Sequence, residues 1–418
     1  MSETVLRRSG TVAAVAALLS TLLTGAAPAE PAPAWVTAWA QSQQGLAPVT
    51  LANQSVRMVT HLSQGGAAVR VRVQNTFGST PLIIDRATVG HSGPDASVTD
   101  AQPVTFDGQP SVTIPPGGEV WSDGAALATG KDTDVTVSMY VAGTVVPGQH
   151  HDAFRENYLT PAGAGDHTAE ESGAAYTDTV TSTYLVSAVD VDNAALRGTV
   201  VGYGSSVVDG VGSTNCGPGC TELGTNRRWT DDLARRIAEE SPTQLAVANA
   251  GISGTTSAAT CPDTPDQVAG LDGLARLDRD VLALHGVTGV IYYYGTNDLA
   301  FGCTAAQLLD SYRQVFERLR AAGIDVFVSP ITPRPGYTDQ HNLDRHAVGT
   351  FVKRWNNCSA TCSGVVDFDQ VLRDPLRPNS ILPDYDTGDG IHANIAGQQA
   401  LADFVSLPML VGTSQEVS

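Results

Sequence analysis

The chain is poor in positive charge: 24 Lys and Arg stand against 43 Asp and Glu, a formal net charge of −19. Such a surface repels phosphate backbones and anionic lipid, so nucleic acid and acidic membranes are poor partner candidates, and the balance argues weakly for a neutral substrate. Beyond the amino terminus no apolar run approaches the roughly 20 residues that span a bilayer, so no membrane anchor is expected. Several motifs are also absent. The sequence has no phosphate-cradling Gly-x-x-x-x-Gly-Lys loop and no His-Glu-x-x-His, and Gly202-x-Gly204 is followed by Val207 where a dinucleotide fingerprint needs its third glycine. No Gly-x-Ser-x-Gly elbow surrounds Ser206. No cofactor and no bound metal is expected.

What is present begins with a leader. Arg7 and Arg8 precede the apolar run "TVAAVAALLSTLLTGAA" and then Ala27-Pro28-Ala29, the small-x-small pattern of a cleavage site, so residues 1–29 read as a signal peptide and the mature protein as secreted. The six cysteines of an exported chain suggest disulfides. Cys216 and Cys220 lie four apart, as do Cys358 and Cys362, which leaves Cys261 with Cys303 if near neighbours join; the competing arrangement is a four-thiolate zinc site built from the two Cys-x-x-x-Cys pairs.

The texture of the chain changes along its length. Residues 30–150 alternate short apolar runs with Gly, Pro and Asp, and read as an all-β sandwich. In "VRVRVQ" Val69, Val71 and Val73 share one face, with Arg70 and Arg72 on an opposite, solvated one. Residues 151–196 show no long periodicity and read as a connecting region, and "GQHHDAF", with His150, His151 and Asp152, reads as an exposed loop rather than a metal site. Residues 197–412 alternate strand, loop and helix. The strands are "GTVVGYG", "QLAVANAG", "GVIYYYGTND", "DVFVSPIT" and "GVVDFD"; helices are expected at 226–240, 272–285, 305–322, 343–357 and 394–406. This is the pattern of an α/β fold with a parallel sheet covered by helices, whose ligands bind beyond the carboxyl ends of the strands.

Four segments at those ends carry chemistry: "GYGSSVVDG", "NAGISG", "YGTND" and "DTGDGIHANIAG". In that order they resemble the SGNH or GDSL-like hydrolases, a family of serine esterases and lipases, over about residues 198–410. The resemblance implies a flavodoxin-like SGNH domain and lays the nucleophile on Ser206, the base on His392 and its orienting carboxylate on Asp389. The oxyanion donors it implies are the amides of Ser206 and Gly254 and the side chain of Asn297. Asn249 and Asp298 are expected to support loops. Ser205 stands where the family usually has an acidic residue, and its hydroxyl is expected to be able to cap the following helix.

"QNTFGSTPLIIDRATVG", "TNRRWTDDLARRI", "DRDVLALHGVTGVIYYYGTND" and "VVDFDQVLRDP" further resemble a subfamily in which a β-domain precedes the SGNH domain, with members related to rumen-bacterial acylhydrolases and xylan-associated arylesterases. That layout implies short-chain acyl esters of carbohydrates or small aryl alcohols, an acylated polysaccharide among them. The alternatives are a lipase or phospholipase acting on long acyl chains, and a carbohydrate-binding protein whose hydrolytic site has decayed.

Overall fold

In the computed structural model, residues 1–2, 34–240 and 245–411 are described, and from Ala34 onward the chain is one compact unit. The expected signal peptide lies almost wholly outside the described residues. The amino-terminal half is built from antiparallel sheets. The longest strands, Leu51–Leu62 and Thr133–Val145, pair along nearly their whole length, from Thr133 opposite Leu62 to Val145 opposite Leu51. They form the centre of a six-stranded sheet. Segment 151–196 supplies strands of its own. Asn157–Leu159 and Asp178–Val180 extend the six-stranded sheet, and Val186–Asp192 lies between Trp35–Ala40 and Val69–Gln74 in a four-stranded one. "VSAVDVD" is rich in β-branched valine without a strict alternation, and all but its last residue are buried.

The second half is a five-stranded parallel sheet. Its spatial order places Leu245–Asn249 first, then Gly198–Gly204, Val287–Tyr293, Asp325–Val328 and Gly364–Val365. The chain therefore reverses direction across the sheet between the strands flanking Gly198–Gly204, which opens a crevice at their carboxyl ends. Strand "VTGVIYY" is buried from Gly289 to Tyr293, as a strand covered on both faces must be. On helix Ala305–Ala321 the expected face is the core face: Leu308, Tyr312, Val315, Phe316 and Leu319 are all buried.

Two helices differ from expectation for local reasons. Over 272–285 only a wide turn, Asp278–Leu282, is helical, because Asp272 accepts from the amides of Leu274 and Ala275 and holds the start of the segment in a turn. The helix expected at 343–357 begins earlier, at Asp339, where Thr338 and His341 form a reciprocal cap, and it ends at Lys353.

The two halves share cores. Ala246 of the parallel sheet packs with the antiparallel core, while Ala40 and Ala188 pack with the parallel one. Hydrogen bonds cross between them: the Thr37 amide donates to the His285 carbonyl, the Thr37 hydroxyl accepts from the His285 amide, and the Thr199 hydroxyl donates to the Thr37 carbonyl. This docking corrects the reading of Arg70 and Arg72 as a solvated face. Arg72 is 1% exposed, donating through Nε to Ser187 and through Nη1 to the Arg279 carbonyl, and Arg70 pairs with buried Asp190 at 2.9 Å. The arginine face of this strand meets the other half of the molecule, so the period-2 pattern located the strand but not what covers its polar side.

Candidate active site

Strand Gly198–Gly204 ends in "GYG", and the chain turns directly into the short helix Ser206–Asp209. Gly204 permits this turn because a Cβ there would lie 2.3 Å from the Tyr293 carbonyl of the neighbouring strand. Ser206 follows at the carboxyl edge of the sheet, 7% exposed. Across the crevice, "DTGDGIH" forms a tight loop before helix Ile395–Phe404. Asp386 accepts from the amides of Gly388 and Gly390, and Asp389 Oδ1 accepts from those of Ile391 and His392. Asp389 Oδ2 faces His392 Nδ1 at 2.6 Å, and His392 Nε2 faces Ser206 Oγ at 2.8 Å.

This chain of contacts sets the proton positions. The carboxylate facing Nδ1 makes that nitrogen the N–H donor, which leaves the Nε2 lone pair directed at the serine hydroxyl. Partial burial would raise the Asp389 carboxyl, but the bond from His392 and two backbone amides outweigh it and hold it well below the usual carboxylate range. The anion that orients the imidazole therefore persists into acid.

The other two loops meet this corner. Gly251 lies flat on the short helix, where a Cβ would come within 2.1 Å of the Asp209 amide, and Gly254 sits at φ +81°, a left-handed conformation that glycine adopts freely. Asn297, buried in the short helix Thr296–Ala300 that follows strand Val287–Tyr293, donates one side-chain N–H to the Thr255 carbonyl at 2.9 Å, while Arg334 donates to its Oδ1 at 2.9 Å. Both contacts fix the amide orientation and leave the second N–H of Nδ2. Among the described residues the amides of Ser206 and Gly254 donate to no protein acceptor. Asn249 braces its loop by donating to the Val208 carbonyl and accepting from the Gly251 amide. Asp298 accepts from the amides of Ser257 and Ala258, and burial pushes its carboxyl up to about 6.

Ser205 does not cap the helix. Its hydroxyl is buried and has no hydrogen-bond partner among the described residues. The cysteines pair as Cys216–Cys220, Cys261–Cys303 and Cys358–Cys362. With both short pairs closed, the four-thiolate zinc arrangement is not formed. The long bridge ties the loop after strand Leu245–Asn249 to the one after Asn297.

Two groups at this corner escaped the sequence reading. Arg276 is fully buried; it donates to the carbonyls of Gly204 and Ala250, pinning both strand ends next to the site, and pairs with Asp280 at 2.9 Å. Nothing in "GLARLDRD" distinguishes this arginine from a solvated one. His150 is the other. "GQHHDAF" is no exposed loop at His150: Gly148–His150 is a buried strand, His150 is 1% exposed, and its Nε2 lies 3.0 Å from Asp209 Oδ1, while His151 is exposed.

A parallel sheet with a serine, an imidazole and a carboxylate linked at its carboxyl edge has the form of an ester hydrolase of the serine type. Residues 203–400 match the GDSL-like Lipase/Acylhydrolase family. That region is a GDSL-like (SGNH) domain preceded by a β-rich half, and the protein is a carboxylic ester hydrolase. Solved structures similar to the chain include a putative lipolytic protein of the G-D-S-L family from Desulfitobacterium hafniense, at 19% identity and TM-score 0.36, covering 49% of this chain and 96% of that one. A carbohydrate acetylesterase from Sinorhizobium meliloti matches at 18% and 0.37, covering 49% and 94%. A psychrotrophic esterase from Pseudoalteromonas matches at 18% and 0.37, covering 49% and 93%. No curated protein matches the chain. Among the described residues no helix is long and apolar enough to cross a membrane.

Proposed function

We propose that the protein is a secreted serine esterase that hydrolyses short-chain acyl esters of carbohydrates or small aryl alcohols through an acyl-enzyme. The observation that carries the catalytic reading is the continuous link from Ser206 Oγ through His392 to Asp389, at 2.8 and 2.6 Å. His392 Nε2 takes the Ser206 proton as Oγ bonds to the ester carbonyl carbon, and the carbonyl oxygen becomes an oxyanion. The amides of Ser206 and Gly254 and the free N–H of Asn297 are the groups assigned to meet it. Collapse breaks the bond to the alcohol, which leaves with the proton from His392. Water then repeats the sequence on the acyl group and frees Ser206. Asp389 stays ionised throughout and holds His392 in the productive tautomer.

The substrate class rests on the subfamily resemblance and on the charge. A net −19 disfavours phosphorylated or anionic esters and suits a neutral one. Export rests on the leader pattern and agrees with three closed disulfides. The test is a series of aryl esters from acetate to palmitate together with acetylated xylan. The expected result is greatest kcat/KM at acetate or butyrate, with acetate released from the polymer. A maximum at long chains would replace this reading with the lipase alternative, and no hydrolysis of any ester would replace it with a decayed site.

A further inference from the structure

Asp209 lies one helical turn after Ser206, is 2% exposed, and uses both carboxylate oxygens. Oδ2 accepts from the amide and the hydroxyl of Ser253, at 3.0 and 2.6 Å. Ser253 immediately precedes Gly254. Oδ1 faces His150 Nε2 at 3.0 Å, and His150 Nδ1 faces the Ser42 carbonyl at 2.7 Å. A carbonyl only accepts, so Nδ1 carries a proton. Nε2 meets a carboxylate whose other oxygen already receives two donors, an arrangement that favours the anion and so an N–H on Nε2 as well. Burial opposes a charged imidazole, yet Asp209 outweighs it and holds His150 above the ordinary histidine range; His150 in turn holds Asp209 below the carboxylate range. The other charged group at hand is Arg228, which donates through Nε to the Asp209 carbonyl and through Nη2 to the carbonyl of Ala153, three residues after His150.

We propose that His150, a residue of the β-rich half, is a positioning residue for ester hydrolysis: by clamping Asp209 it fixes the Ser253–Gly254 turn whose amide receives the oxyanion. The proposal rests on the serine-esterase reading above. Its physical basis is that oxyanion donors act only where they are already aimed, and misplacement by about 1 Å costs on the order of a hundredfold in rate. The β-rich half thereby completes the site without touching substrate. A clamp that acts on transition-state charge changes kcat, whereas a wall of the binding cleft would change KM.

The test measures kcat and KM on an aryl acetate, with thermal unfolding, for His150→Ala, Ser253→Ala, Asp209→Ala and Asp209→Asn. His150→Ala and Asp209→Ala are expected to lower kcat about 10- to 100-fold with KM within about threefold. Ser253→Ala, which keeps its amide bond, is expected to lose about fivefold. Asp209→Asn should recover most of the loss, since its oxygen can accept from Ser253 while its amide donates to a neutral His150. Folded variants with unchanged kcat, or with the whole loss in KM, overturn the proposal. Should the alanines at 150 and 209 fail to fold, Ser253→Ala and Asp209→Asn decide: full kcat in Ser253→Ala, or Asp209→Asn no better than background, overturns it. Ser206→Ala serves as the separate control. Activity surviving in Ser206→Ala defeats the esterase reading itself, whereas an inactive Ser206→Ala beside unaffected clamp variants defeats only the clamp.

Discussion

Adjacent serines at the end of the first parallel strand have opposite environments. Ser206 Oγ faces an imidazole, while Ser205 Oγ is buried against no partner. An unsatisfied buried hydroxyl costs free energy, and removing it leaves a cavity smaller than a methyl group. Ser205→Ala is therefore expected to be neutral or stabilising, within about 1 kcal/mol in urea unfolding, and to keep ester hydrolysis within a few-fold. A loss of 2 kcal/mol or more, or of activity, would show that the hydroxyl has a partner in solution. At this scale the sequence was most informative where residue type and order coincide: Ser206, Asp389 and His392 are met in sequence as ordered motifs and stand in one chain of contacts. It was least informative where a polar residue is buried by something distant. His150 and Asp209 are 59 positions apart and Arg276 and Gly204 are 72 apart, and no local pattern encodes either meeting.

Elements follow the same division. The parallel strands were legible because continuous apolar runs between glycines have few other interpretations. Strand Val186–Asp192 was not, because the segment around it shows no long periodicity and its partners are strands more than a hundred positions earlier. The loops that build the site depend on staples between elements. Cys261–Cys303 spans 42 positions and joins the loop following Gly254 to the one following Asn297. Closing such a loop restricts the unfolded chain, so replacing both cysteines by alanine should lower unfolding free energy by about 2–4 kcal/mol. Replacing Cys216 and Cys220, only four apart, should cost less. Equal losses from the two bridges in denaturant titrations would mean that local native contacts, rather than loop closure, set their value.

For the whole molecule, the seam between the halves is the feature that composition did not foretell. Polar groups line it: within the β-rich half His61 faces Asp132 and Asp134 and Asp134 pairs with Arg155, and Asp132 reaches across to Arg235 of helix Trp229–Glu240. Burial opposes protonation of His61, but Asp132, Asp134 and Asp231 outweigh it and raise its pKa from 6.5 to about 9. A group raised on folding stabilises fully below its unfolded pKa and loses that contribution as pH rises through the folded one. The unfolding midpoint is thus expected to fall between about pH 6.5 and 9.5, and His61→Gln to flatten that decline. A wild-type midpoint constant across this range would contradict the protonated seam.

The central claim is that one serine of the pair performs the chemistry. Incubating the folded enzyme with an aryl-leaving organophosphonate and mapping the adduct by peptide mass spectrometry tests it most directly. The expected result is a single adduct on Ser206, appearing in step with complete loss of ester hydrolysis, and no adduct in Ser206→Ala. An adduct on Ser205, or full labelling with activity retained, would contradict it.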